Sequence, residues 1–229
     1  MPSKNPFLEN VESPNVRNTA TGPQDKPSTE TNKVFAVFPS PSLPPNVSIV
    51  PCESRHVSSL RRVIGTLLQV RYSDKFFGEI TSDPTIASLT RVAVWHVASS
   101  AQAEGQVIGG IRARLEEKKE DGKKEIYIQT LCLLSPYRRL GIAAALLQSL
   151  IESAITRYSA TSVYAHVWEE NDEALEWYQN RGFTVDKQVV EGYYRKLKPD
   201  GAKVVRRRIG VGDYLRLANG SNDDRKMRS

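Results

Sequence analysis

Reactive side chains are scarce in this chain, whose 229 residues hold two cysteines, three histidines and two methionines. Cys52 and Cys132 stand in apolar, strand-like surroundings with neither CxxC nor cysteine–histidine spacing. That favours buried free thiols in reducing surroundings over a disulfide or a zinc site. No metal ligand set is expected. No run approaches the roughly twenty apolar residues of a membrane span, and the first residues lack the apolar core of a signal peptide. A soluble protein of the cytoplasm is expected, with the nucleus as a second compartment. The Gly-x-Gly-x-x-Gly of dinucleotide folds, the Gly-Lys-Ser/Thr of a phosphate loop, any groove-reading DNA motif and internal repeats are missing as well. Sequence-specific DNA is therefore not an expected partner.

Proline is unevenly spread. Nine of the thirteen (positions 2, 6, 14, 23, 27, 39, 41, 44 and 45) fall in the first 46 residues, among Ser, Thr, Asn and Lys. Such a stretch cannot bury enough apolar area to offset chain entropy. Residues 1–46 read as a disordered leader, 47–205 as one compact domain and 206–229 as a basic extension, in which Ile209 to Leu217 is apolar enough to dock locally. The formal charge is +6 and the pI about 9.3. Lys196, Lys198, Lys203, Arg206, Arg207 and Arg208 concentrate that charge, which suits either an RNA-facing partner or a solvated tail.

The middle reads as a strand from Val47, a helix from about Arg55, a short helix from Ser73 and strands near Ser88 and Val107. A turn at Glu120-Asp121-Gly122, a strand at Glu125, a long helix, a strand at Val163, a capped helix and a hairpin around Glu191-Gly192 follow. This is an α/β sandwich with a mixed sheet.

Two stretches carry chemistry. In the first, the strand at Tyr127 runs through Pro136 into Arg138-Arg139-Leu140-Gly141-Ile142-Ala143 and directly into the long helix. The first amides of a helix lack carbonyl partners and carry the positive end of its dipole, so anions settle there. Gly141 and Ala143 keep the turn slim, and Arg138 and Arg139 add charge, which together suit a pyrophosphate. Leu140, Ala143, Ala144, Leu147, Ile151, Ala154, Ile155 and Tyr158 recur at helical spacing, giving a face that packs on a sheet. Coenzyme A fits this pattern better than a dinucleotide does. In the second stretch, Ser162 to Trp168 leads into a helix with Asn171 as N-cap, acidic residues in its first turn and Gly182 for the left-handed exit. Tyr178 on that helix reads as core or as site, and His166 as a core histidine or as a base.

Together the two stretches resemble the GCN5-related N-acetyltransferase superfamily. Tyr72-Ser73-Asp74-Lys75-Phe76-Phe77, Tyr127 to Leu131, Pro136 to Ile142, Tyr164 to Val167 and Tyr193 to Leu197 narrow the likeness to the family of the NatE catalytic subunit, N-alpha-acetyltransferase fifty. It covers residues 47 to 205 and leaves both termini outside. The resemblance implies a GNAT fold, a mixed and mostly antiparallel sheet of about seven strands flanked by about four helices. It implies acetyl-CoA as co-substrate, held by Leu131, Leu133, Arg138, Arg139, Leu140, Gly141, Ile142, Ala143, Asn171 and Tyr178. The backbone of Leu131 and Leu133, where the strand should splay, would stabilise the oxyanion. Tyr127 and His166 would act as general base through water, and Tyr178 would meet the leaving thiolate. Alternation alone would turn Tyr127, with Gln129 and Leu131 on one face of their strand, and His166, with Tyr164 and Trp168 on its neighbour, toward one cleft.

The acceptor site implied by the same likeness joins Leu68, Gln69, Val70 and Tyr72 to Gln129 and the hairpin residues Tyr193 and Tyr194. It would close over a free protein N-terminus, nascent or complete, with Met followed by a hydrophobic residue in first place. Relatives carry Phe-Pro-Val where Leu68-Gln69-Val70 stand here, and methionine where Gln129 stands, so altered tolerance is expected. Family members associate with a larger two-subunit acetylase, NatA, and a co-translational enzyme would profit from ribosome contact. Acetylation of internal lysines or other amines, and a CoA-binding scaffold, are the alternative functions.

Overall fold

The computed structural model describes residues 42–68, 70–97 and 105–226, with side chains as far as residue 218. The expectations for residues 1–41 and for Gln69 lie outside them.

Seven strands form one sheet: β1 (Val47–Pro51), β2 (Thr90–Trp95), β3 (Gln106–Glu117), β4 (Lys124–Leu133), β5 (Ser162–Trp168), β6 (Thr184–Val190) and β7 (Ala202–Arg208). Their order is β1-β2-β3-β4-β5-β7-β6. Every neighbouring pair is antiparallel except β4 and β5. Among the described residues there are six helices rather than the expected four: α1 (Ser54–Leu67), α2 (Asp74–Ser82), α3 (Pro84–Ser88), α4 (Ile142–Tyr158), α5 (Asp172–Gln179) and α6 (Val211–Lys226). The short α3 replaces the strand read near Ser88. Asp83 accepts from the amides of Thr85 and Ile86 and Pro84 stands in the first turn, so a helical turn forms before the strand starts at Thr90.

Each face of the sheet has its own core. On one, Leu60, Val63 and Ile64 of α1 and Phe76, Phe77 and Ile80 of α2 bury against Val92, Val94, Val107 and Cys132. On the other, Leu146, Leu150, Ile151 and Ala154 of α4 pack with Leu175 of α5 on Ile111, Ile126, Ile128, Val163 and Ala165. The buried stripe of α4 starts at Ile142, which is fully buried, whereas Leu140 is 41% exposed in the preceding turn. Leu140 therefore does not belong to the packing face assigned by periodicity, because the helix begins two residues later.

The compact unit reaches beyond residues 47–205 at both ends. Leu43 packs against the larger core, and the Val47 amide donates to the Pro44 carbonyl at 3.0 Å. At the other end β7 continues to Arg208, paired in register with Ser162 of β5. Ile209 and Leu217 pack on the same core, in line with local docking, and α6 lies against α4, with Arg216 donating to Gln148 at 3.1 Å. Arg206 is paired with Glu125 at 2.7 Å, and Arg207 is bound to Asp213. These two cations belong to the sheet and its first covering helix rather than to a solvated tail.

Where β3 meets β4 the register shifts by one residue: Arg112 faces Thr130 but Ala113 faces Ile128. The extra residue is Gln129, and the bulge reverses the alternation beyond it. Leu131 thus packs toward the α4 face, while Tyr127 remains on the other. The expectation of one face for Tyr127, Gln129 and Leu131 is corrected accordingly. Gly109 on β3 holds this edge closely, since a Cβ there would sit 2.5 Å from the Cys132 carbonyl oxygen and 3.0 Å from the Leu133 Cα. Backbone atoms cannot yield as side-chain tips do. Gly109→Ala is expected to lower stability by about 1–3 kcal/mol in urea unfolding; an unchanged midpoint and slope would mean that the edge has slack.

Candidate active site

β4 and β5 pair in parallel only from Glu125↔Ser162 to Ile128↔Ala165. Beyond that point β5 stays with β7, and β4 stays with β3. The two strands therefore part in the middle of the sheet. Which amides this frees follows from alternation. Leu134 donates to the Ile108 carbonyl at 2.9 Å, toward β3. Cys132 and Thr130 share that direction, so the amides of Leu131 and Leu133 point the other way, into the gap. The Leu133 carbonyl, on the same side as its amide, accepts from Arg138 Nε at 3.2 Å.

Directly after the gap the chain makes a 3-10 turn over Ser135–Tyr137 and enters α4. Arg139 and Gly141 both take left-handed backbone, with φ of 64° and 77°. Gly141 stands at the N-cap and offers no side chain, so the first amides of this 17-residue helix carry no side-chain cap. Successive amides turned inward at a helix start form an anion cradle. Arg138, Arg139, Leu140, Gly141, Ile142 and Ala143 are thus brought together, with one qualification of role. The Ile142 side chain is core, so only its backbone faces the turn. A groove of about 450 Å³ starts at Gly141 and runs along the outer side of α4 past Gln148, Arg181, Arg207 and Arg216.

A second cleft, of about 250 Å³, runs through the gap from Asn171 and Tyr178 beside α5 to the loop after α1 and the connection joining β6 to β7 on the other face. Its walls include Leu67, Leu68, Val70 and Tyr72, then Gln129 and Leu131 of β4, His166 and Trp168 of β5, Asn171, Tyr178, Tyr194 and Leu197. Trp168 was read toward the cleft with His166, whereas Leu67 was missed and Leu197 was given no site role, because isolated apolar residues next to loops give no signal. The tyrosine pair is not on paired strands. Residues 191–201 form a long connection that turns at Gly192, and Tyr194 donates to the His166 carbonyl at 3.1 Å. Tyr72 donates to the Gln129 carbonyl at 3.3 Å and stacks on Phe76.

His166 is stacked on Tyr193 at 4.3 Å between centroids and meets Tyr127 edge-on at 5.4 Å. The hydroxyls of Tyr127 and Tyr193 are hydrogen-bonded to each other, and both rings stand behind His166 rather than on the cleft wall. The His166 Nδ1 is buried without a hydrogen-bond partner. Burial lowers its pKa from the ordinary 6.5 to about 4, against the pull of Glu116 and with Arg206 and Arg114 adding to the drop. Burial also raises the phenols of Tyr127 and Tyr178 far above their usual range. Tyr127 therefore cannot supply a phenolate base, and Tyr178 keeps its proton to donate. Asn171 spends its side-chain oxygen on the Ala174 amide at 3.1 Å, as an N-cap should. Of the other histidines, His56 Nδ1 accepts from the Glu53 amide at 3.1 Å, and His96 Nε2 is bonded to Ser48 at 2.8 Å. Both are structural. Cys52 and Cys132 are buried free thiols, and burial pushes both up to about 12.

An acyl group carried on a phosphate-bearing thioester would enter such a sheet through the parted strands, from the helix start on one side toward a cleft on the other. That layout is an acetyltransferase's, and the model of the acetyltransferase (GNAT) family matches residues 65–183. The chain belongs to this family. Among curated relatives, N-alpha-acetyltransferase 50 of Danio rerio is 26% identical over 154 residues, 67% of this chain and 83% of the relative. The "Probable N-acetyltransferase san" of Drosophila melanogaster is 27% identical, over 67% of this chain and 76% of its own. Among solved structures, Arabidopsis thaliana Naa50 in complex with the bisubstrate analogue CoA-Ac-MVNAL superposes with a TM-score of 0.59 at 27% identity, over 72% of this chain and 99% of that one.

An imidazole that holds no proton above about pH 4 leaves no titration of its own in the working range. The pH dependence of kcat/KM is expected to rise with one ionisation near about 8, that of the acceptor α-amine. A step near 6.5 that His166→Gln abolishes would show instead that the ring is solvated.

Proposed function

We propose that the protein transfers an acetyl group from acetyl-CoA to the free α-amine of protein N-termini, with Met followed by a hydrophobic residue as the preferred acceptor. The observation that carries this reading is His166, neutral and with an unpartnered Nδ1, on the wall of a narrow cleft roofed by two loops, beside the point where β4 and β5 part. The apolar walls at Leu67, Leu68, Val70, Leu131 and Leu197 suit a flexible thioether chain. Lysine on a folded surface cannot bring its neighbouring backbone into so narrow a cleft.

The roles of the chain's own residues follow. The backbone turn from Arg138 to Ala143 and the start of α4 bind the pyrophosphate of acetyl-CoA. Leu131 and Leu133 present two amides to the thioester oxygen as negative charge gathers there. The amine attacks the carbonyl carbon and its proton passes, through a water, to His166. Because this imidazole is weakly basic, it accepts the proton only as the new C–N bond makes the nitrogen acidic. As the C–S bond breaks, Tyr178 donates a hydrogen bond to the departing sulfur. A thiolate leaves without full protonation, so this contribution is modest. Tyr127 and Tyr193 hold the ring of His166 in place.

The same reading extends to place and partners: a cytoplasmic enzyme that meets nascent chains, contacting the ribosome through Lys196, Lys198, Lys203 and Arg208 and associating with the NatA complex. Arg206 and Arg207, committed within the fold, do not contribute.

Turnover is expected on peptides beginning Met-Leu and not on a blocked peptide carrying an internal lysine. His166→Ala is expected to lower kcat by about 10²–10⁴-fold with the KM for acetyl-CoA unchanged. Acetylation of the blocked lysine alone would make the protein a lysine acetyltransferase, and binding of acetyl-CoA without turnover of any peptide would make it a scaffold.

A further inference from the structure

Three buried polar side-chain atoms have no hydrogen-bond partner among the described residues: His166 Nδ1, Arg112 Nε and Thr130 Oγ1. The first belongs to the reaction; the other two have no place in it. Arg112 and Thr130 face one another across the β3–β4 register, beside the Gln129 bulge. Arg112 has no solvent exposure at all. Its guanidinium lies over the Phe76 ring at 3.8 Å, pairs with Glu79 at 2.7 Å and binds the side-chain oxygen of Gln129. Burial lowers its pKa, with Glu79 acting against the shift, and an arginine stays charged even so.

A guanidinium only donates, so the Gln129 atom that it holds must be the carbonyl oxygen of the carboxamide. The amide NH₂ is the group left over. It makes no hydrogen bond to the described protein and is not among the buried unpartnered atoms, and Gln129 lines the acceptor cleft. The cleft thus has an N–H donor on its wall beside apolar Leu67, Leu68, Val70 and Leu131, oriented by a buried cation that cannot turn away. The Gln129 backbone is fixed too, since its carbonyl accepts from Tyr72.

We infer that Gln129, held by Arg112, selects the first residue of the acceptor by a hydrogen bond, favouring side chains that carry an acceptor atom over purely aliphatic chains of equal length. Methionine offers its thioether sulfur and glutamine its side-chain oxygen; norleucine has the length of methionine and nothing to accept with. Gln129 is then the specificity-determining residue and Arg112 a positioning residue acting through it. The inference rests on the N-terminal acetyltransferase reading and refines its acceptor site.

The test uses the full chain with acetyl-CoA and four peptides that differ only in their first residue: Met, norleucine, Gln and Leu. For the wild type, kcat/KM is expected to favour Met over norleucine by about fivefold, and Gln over Leu by at least as much, the discrimination one hydrogen bond supplies. Gln129→Glu keeps an oxygen for Arg112 and removes the N–H donors. It is expected to bring the Met-to-norleucine ratio to about one and to abolish turnover of the Gln peptide, with the KM for acetyl-CoA and the melting temperature kept. Gln129→Met serves as the second variant and should level the same ratio. Equal use of Met and norleucine by the wild type, or a ratio that survives both substitutions, overturns the inference while leaving α-amine acetylation standing. Failure of all four peptides overturns both.

Discussion

The separation of β4 from β5 after the Ile128–Ala165 pair is the constraint on which everything else at the site depends. A continuous ladder would consume the amides of Leu131 and Leu133 and would seal one face of the sheet from the other. Once the strands part, two amide donors in the gap lie between the uncapped start of α4 and the cleft lined by His166. Preorganised donors of this kind require no rearrangement as charge develops, which makes them effective. The gap is held open from both sides. β5 is drawn toward β7 along its whole length, from Ser162↔Arg208 to Trp168↔Ala202, and β4 is drawn toward β3 by the tight approach of Gly109.

Burial sets the protonation states around that gap. The same desolvation that lowers the His166 pKa raises those of Tyr127 and Tyr178, leaving the imidazole neutral and the phenols protonated. The network of Arg112, Glu79 and Gln129 shows the opposite use of burial. An isolated guanidinium in this position would cost on the order of several kcal/mol, and the Glu79 carboxylate and Gln129 carboxamide offset it. What it fixes is a bulge and a side-chain amide at the cleft.

Much of the fold was legible because its signals are local. Ser73 caps α2 by accepting from the Phe76 amide, Asn171 caps α5, and Gly141 and Gly182 take positive φ, as their residue types suggest. The candidate residues of the CoA turn came from one continuous run, and structure keeps such runs together. What the sequence hid depended on pairing between distant segments. The bulge at Gln129 is a property of two strands, and it moved Leu131 to the other face against simple alternation. Arg112 sits in a run of Arg-Ala-Arg, and nothing nearby in the sequence announces that Glu79 of α2 comes to meet it. Tyr127 reads as a cleft residue by strand parity, yet Tyr193 folds in front of it from 66 residues away. The basic cluster at 206–208 looked like a tail because three consecutive arginines rarely lie in a sheet; Glu125 and Asp213 make it possible for two of them.

The C-terminal helix α6 adds a layer to α4 that lies outside the span matched by the family model, residues 65–183. It braces α4, whose first amides carry no side-chain cap, and so ties the extension to that side of the sheet. The open gap itself is the central claim, and amide hydrogen exchange along β4 tests it most directly. In the free protein Thr130 and Cys132 should exchange slowly and Leu131 and Leu133 quickly, and addition of acetyl-CoA should slow the latter two. Uniform protection of all four amides without acetyl-CoA would contradict the account, because it would mean that the strands never part.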